Sequence, residues 1–226
     1  MSLGSIWLGI VVLTGCPAEQ DTSEGVLQPE GRYSGMGLLG SEGEVFYLAG
    51  GGTSSGFVDD AWAYDVSAHT WLPLEPLPIP LLRSAAVQHG ESVHMFGGTT
   101  TGRIEPDVLL RWTPRDDRWE ERDLEGGPSP RFKHMSVGLG GLLLVIGGKY
   151  DDEEVPRIYG DVWAFDVETA VWSEVPTTGG PSGIYRHAMA VDEARGVIWV
   201  HGGFDELETR SDWLWSLDVQ TWAWTR

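Results

Sequence analysis

The chain holds a single cysteine in 226 residues, so no internal disulfide framework supports it. Positive charge is scarce as well: 15 Lys and Arg stand against 34 Asp and Glu, a net charge of -19. A domain that acidic does not engage nucleic acid or anionic lipid through its general surface. No apolar run reaches the ~20 residues of a membrane-spanning helix, and no stretch after the first 16 residues has helical periodicity. The sequence lacks GxSxG, P-loop and dinucleotide-binding fingerprints. Its six histidines, His69, His89, His94, His134, His187 and His201, form no HxH or HExxH pair, so neither a metal nor a cofactor is expected. His94 and His201 fall in apolar strands and read as satisfied core residues. The acids at 151–154 lack the spacing of a Ca²⁺ loop and read as a solvated loop.

What the sequence does have is a repeat. Four double glycines, Gly50-Gly51, Gly97-Gly98, Gly147-Gly148 and Gly202-Gly203, lie 47, 50 and 55 residues apart. Upstream stand Arg32, Arg83, Arg131 and Arg186; downstream stand Asp60, Asp107, Asp161 and Asp212. Each unit closes on a tryptophan: Trp71, Trp119, Trp172 and Trp224. A period near fifty residues signals a repeat architecture, each unit a supersecondary element that buries its apolar face on its neighbours.

Each unit reads as four strands. In the third they are 131–139, 142–146, 162–166 and 172–175, with alternating or continuous apolar patterns bounded by Gly and Pro. The second strand, Leu142 to Ile146, is apolar throughout, which implies burial on both faces. Its equivalents are VFYLA at 45–49, SVHMF at 92–96 and VIWVH at 197–201. Tyr64, Trp112, Phe165 and Leu217 each precede the closing Trp by the same offset, which sets large apolar groups side by side on adjacent strands. The 12 tryptophans then serve as packing between repeats. In the second and fourth units the register slips by one residue: Leu110 stands where the others have Trp, and an extra residue separates Asp212 from Trp215.

This pattern resembles the kelch repeat, a hydrophobic strand ending in Gly-Gly followed by an aromatic and then Trp. The resemblance covers residues 32–226. It implies an all-β, kelch-type β-propeller of four four-stranded blades. Arg226 falls where the fourth strand of the last unit begins. Either the segment at 25–29 supplies the missing strand and closes the ring, or the propeller is incomplete. The galactose oxidase family shares the architecture but needs a cysteine cross-linked to tyrosine, and the one cysteine here lies in the N-terminal segment.

Residues 1–16, MSLGSIWLGIVVLTGC, read as an export signal. Their end, Leu13-Thr14-Gly15-Cys16, resembles the lipobox of bacterial lipoproteins, which implies lipid attachment at Cys16. No Lys or Arg precedes the apolar core. Residues 17–31 form a polar tether and possible closing strand, and 32–226 the propeller.

Residues at one repeat position ring a propeller axis, so Arg32, Arg83, Arg131 and Arg186 are expected around one mouth of the channel, with Tyr185, His187 and His134 close by. Their guanidinium groups suit carboxylates. Alternatively each is consumed by an acid from the loops at 59–60, 151–154 and 205–208. The expected function is an exported, lipid-anchored bacterial envelope module, facing the periplasm or the outer membrane. Its partner would be a protein or an acidic glycan, and the membrane would be met only through the anchor. The rivals are an envelope carbohydrate-active enzyme of the kelch mutarotase type and a truncated remnant of a larger kelch protein. Unpaired charges converging in a pocket favour the enzyme; arginines plugged by acids favour the module.

Overall fold

Each of the four repeat units folds into a four-stranded antiparallel sheet, a propeller blade. The computed structural model describes residues 27–40, 43–102, 106–122, 125–151 and 156–226. Blade 1 consists of β1 (Met36–Leu39), β2 (Val45–Ala49), the small hairpin β3 (Gly52–Thr53) and β4 (Gly56–Phe57), then β5 (Ala61–Asp65) and β6 (Thr70–Leu74). Blade 2 follows with β7 (Ala85–His89), β8 (Ser92–Phe96), β9 (Leu109–Thr113) and β10 (Arg118–Arg122). Blade 3 has β11 (Met135–Leu139), β12 (Leu142–Ile146), the hairpin β13 (Lys149–Tyr150) and β14 (Arg157–Ile158), β15 (Val162–Asp166) and β16 (Val171–Glu174). Blade 4 has β17 (Ala188–Asp192), β18 (Val197–His201), β19 (Leu214–Asp218) and β20 (Ala223–Thr225).

The fixed aromatic spacing has a direct structural meaning. Tyr64 lies opposite Trp71, Trp112 opposite Trp119, Phe165 opposite Trp172 and Leu217 opposite Trp224 on the two outer strands of each blade. The ring centroids of Phe165 and Trp172 are 5.1 Å apart, and Trp172 also reaches Phe96 of blade 2 at 5.3 Å. Each pair therefore wedges its own blade and, in blade 3, fastens the neighbouring one.

Three apolar layers lie between successive blades. The most complete surrounds β12, whose Leu143 to Ile146 are wholly buried. Strand alternation sends Leu143 and Val145 toward Val87 and Phe96 of blade 2, and Leu144 and Ile146 toward Ile198 and Val200 of blade 4. That is why this strand carries no polar residue. In blade 4 only one face of β18 is covered: Ile198 and Val200 are buried, while Trp199 and His201 are exposed. His201 is thus not a core residue. His94 is buried, but its Nδ1 has no hydrogen-bond partner among the described residues.

The double glycines are where one blade touches the next. Gly98 N donates to Arg131 O at 2.9 Å, and Gly51 and Gly148 make the same bond to Leu81 O and Ile184 O, both at 2.8 Å. Gly97 and Gly98 have φ of 60° and 106°. A Cβ on Gly97 would lie 2.5 Å from the Arg131 carbonyl oxygen, so a side chain there would drive the blades apart.

At the inner rim a second ladder of bonds steps from blade to blade. Arg83 N donates to Ser34 O, Lys133 N to Arg83 O and Arg186 N to Lys133 O, at 2.9, 3.2 and 2.9 Å. No matching bond joins Ser34 N to Arg186 O among the described residues. The fourth blade contains a fourth strand: β20 pairs with β19 from Ser216–Thr225 to Asp218–Ala223. Residues 27–31 form no strand, and 25–26, together with the export segment and Cys16, lie outside the described residues.

Candidate functional site

The four arginines of the repeat occupy two different structural positions. Backbone pairing aligns Tyr33, Leu82, Phe132 and Tyr185, each bridged to the segment after its double glycine at Gly52, Thr99, Lys149 and Phe204. One residue before them stand Arg32, Leu81, Arg131 and Ile184; one residue after stand Ser34, Arg83, Lys133 and Arg186. The latter four share a left-handed backbone, with φ of 53°, 61°, 58° and 56°. Arg83 and Arg186 therefore match Lys133, not Arg131, and the expectation of one ring of four arginines is corrected.

Arg32 and Arg131 are structural. Arg131 is 1% exposed, and its Nη1 and Nη2 grip Asp161 at 2.6 and 3.0 Å. Nη1 also donates to Gly147 O and Nε to Ser129 O, both at 3.0 Å, and the guanidinium lies 4.0 Å over the Tyr159 ring. Trp163 Nε1 donates to the same Asp161 at 2.8 Å. Blade 1 repeats the arrangement with Arg32, Asp60 and Trp62. Burial raises the Asp60 pKa, but the hydrogen bonds from Arg32 and Trp62 outweigh it and hold the carboxyl below its usual range.

Blades 2 and 4 replace the pair as a unit. The first glycine of each pair donates to the backbone of Asp60, Val108, Asp161 or Trp213, which makes these four equivalent. Where the acid is lost to Val108 or Trp213, the arginine is lost to Leu81 or Ile184. The one-residue slip moves Asp107 and Asp212 out of register, and both are exposed. Burial without a charged partner is avoided in each blade.

The other row borders a cleft. Arg83, Lys133 and Arg186 line a cleft of about 370 Å³ with Tyr33, Phe132 and Asp151. Asp151 is tied to Lys149 at 2.7 Å, and among the described residues lining the cleft the three cations outnumber this one acid, in a protein of net charge -19. Lys133 Nζ lies 4.4 Å from the Phe132 ring centroid and 5.4 Å from that of Tyr185. Its pKa is pushed down to about 8, first by burial and then by Arg186, Arg83 and Lys149, against a smaller opposing effect of Asp151. Of the acidic loops expected to consume the arginines, the one at 59–60 does so, through Asp60 on Arg32; Arg131 is taken up instead by Asp161, outside those loops.

Tyr185 and His187, expected beside the mouth, lie in the core, 4% and 3% exposed, and are not among the residues lining the cleft. The Tyr185 ring stacks on Phe204 with centroids 5.2 Å apart, and its hydroxyl donates to Glu208. Burial, then Glu208, pushes its pKa up to about 12. Glu208 also accepts from Lys149 Nζ at 2.9 Å, while Asp205 caps its loop through Leu207 N and Thr209 N. Residues 152–154 of the other acidic loop lie outside the described residues. Lys133 escaped the sequence reading, although the triplets Phe132-Lys133-His134 and Tyr185-Arg186-His187 carried the correct register.

Comparison with known proteins accords with this geometry. Residues 19–183 match the KLHDC2/KLHL20/DRC7 Kelch-repeats domain, and residues 185–226 match the Kelch motif. The chain is 27% identical over 169 residues to Kelch domain-containing protein 10 of Homo sapiens and of Bos taurus, covering 70% of this chain and 37% of each relative. It is 28% identical over 144 residues to Mei4-dependent protein 6 of Schizosaccharomyces pombe, covering 58% of this chain and 20% of that protein. The chain thus spans well under half the length of these relatives.

Proposed function

Because the chain belongs to the kelch-repeat family, we propose that it is a protein-interaction module that grips a carboxylate of its partner, from an acidic peptide or an acidic sugar, in the cleft of Arg83, Lys133 and Arg186. One observation carries this. Three of the four equivalent rim positions hold cations that face one cleft, although the protein as a whole is acidic. Long-range attraction of anions is therefore weak, and recognition rests on short-range charge-assisted hydrogen bonds from guanidinium and ammonium groups. The arginines at the other repeat position are already satisfied by Asp60 and Asp161 and have little left to offer a ligand.

A peptide library with acidic, neutral and basic members tests the reading, alongside a panel of acidic and neutral glycans. Acidic peptides are expected to bind, with affinity falling as salt rises. Preference for neutral peptides at all ionic strengths would refute carboxylate capture, and binding confined to acidic glycans would reassign the partner.

The export and anchoring element of the proposal rests on residues 1–16 alone. Leu13-Thr14-Gly15-Cys16 has the pattern of a bacterial lipobox, while the relatives named above are eukaryotic. Expressed in a bacterium fed labelled fatty acid, the wild-type chain is expected to carry label and Cys16→Ala to carry none. Equal labelling of the two would remove the anchor, leaving the cleft proposal untouched.

A further inference from the structure

We propose that Lys133 is a carbonyl-capturing lysine, and that the cleft accepts a small α-oxo acid whose carboxylate is held by Arg186 and Arg83 while its carbonyl carbon forms an imine with Lys133 Nζ. The inference rests on the reading of the cleft as an anion site and adds a covalent chemistry to it.

Three features place the amine for this reaction. Lys133 lies on the rim row, so its left-handed backbone and its bond from N to Arg83 O anchor the side chain between two blades. The rings of Phe132 and Tyr185 flank Nζ and shed water from it. Among the described residues no carboxylate pairs with it, in contrast to Lys149, whose Nζ is held by both Asp151 and Glu208.

The charged groups around Nζ come from every packed element. Arg83 approaches from blade 2, Arg186 from blade 4, and Lys149 with Asp151 from the segment that begins at β13. Glu208 lies behind, bonded to Tyr185 and Lys149. Burial and the three neighbouring cations favour the neutral amine, whereas the acids around Lys149 favour its ammonium form and raise its pKa. At neutral pH the free-amine fraction of Lys133 is on the order of a hundredfold above that of an ordinary lysine. Neighbouring cations and desolvation are an established way to activate a lysine nucleophile.

The step balances without an external oxidant or reductant. The Nζ lone pair attacks the carbonyl carbon, the C=O π pair moves to oxygen, and proton transfer from nitrogen gives a carbinolamine. Loss of that oxygen with the second nitrogen hydrogen yields the C=N bond and one water.

The chain contains only two lysines, which makes the test selective. The intact protein is treated at pH 7.4 with glyoxylate and sodium cyanoborohydride, whose hydride reduces the imine to a stable secondary amine. Peptide mass spectrometry then follows Lys133 and Lys149, with the N-terminal amine as internal reference. Lys133 is expected to be labelled at least tenfold faster than Lys149. The preference is expected to fall in Arg186→Gln with glyoxylate, and much less with neutral formaldehyde. Equal labelling of the two lysines by glyoxylate would overturn the proposal. Acidic-peptide titration of Lys133→Arg separates the two readings. Retained binding with equal labelling removes only the imine; loss of both the labelling preference and all acidic-peptide binding to wild type removes the anion site as well.

Discussion

Arg131→Ala is expected to cost ~3–5 kcal/mol of stability, the range for breaking a buried ion pair by removing one partner. The loss goes beyond one contact. Asp161, Gly147 O and Ser129 O all lose a donor at once, and the guanidinium leaves the Tyr159 face. Blade 2 shows how the same place is filled without charge: Leu81, Val108 and Leu110 occupy the positions of Arg131, Asp161 and Trp163. Replacing all three in blade 3 by the blade 2 residues is therefore expected to recover most of the stability, since an apolar set removes the unpaired carboxylate along with its partner. Urea denaturation of the single and triple variants measures both. A triple variant no more stable than Arg131→Ala would show that the pair is not an interchangeable unit.

The second large effect is acid sensitivity above the carboxylate range. His94, His134 and His187 are each at least 96% buried. Burial is the first cause in all three and holds their pKa values down to about 4, 3 and 4. Nearby Arg111, and Arg131 with His187, add to it for His94 and His134 respectively. Neither ring nitrogen of His134 or His187 has a hydrogen-bond partner among the described residues. In the unfolded chain these groups titrate near ~6.5. Their folded pKa values are depressed, so below that value the unfolded state binds more protons and stability falls with pH. Each histidine is expected to remove about 2 kcal/mol between pH 7 and 5. The depressed carboxyl of Asp60 contributes only at lower pH, near and below ~4. Denaturation midpoints at pH 7 and 5, in wild type and in the His134→Leu, His187→Leu double variant, separate the contributions. A stability unchanged across that range in wild type would contradict the account.

The blades were legible in the sequence because their determinants are local. The offset from Phe165 to Trp172 and the apolar run from Leu142 to Ile146 each name a strand and its register, and the double glycines name the strand ends. The cleft was not legible in the same way. Counting arginines upstream of each Gly-Gly merged two positions, because Leu81 and Ile184 are apolar where Arg32 and Arg131 are charged. What distinguishes the positions is the left-handed backbone at Ser34, Arg83, Lys133 and Arg186, a three-dimensional property with no single residue preference. Burial of His187 and Tyr185 likewise depends on packing across blades, which the spacing of residues within one repeat does not reveal.

The division of labour between the two rows is the central claim, and one titration tests it most directly. An acidic peptide that binds the wild-type protein is titrated by calorimetry against Arg186→Glu, with the melting temperature of the variant recorded on the same sample. The account predicts affinity at least tenfold weaker, ~1.4 kcal/mol or more, with the melting temperature nearly unchanged. Wild-type affinity in Arg186→Glu would contradict it.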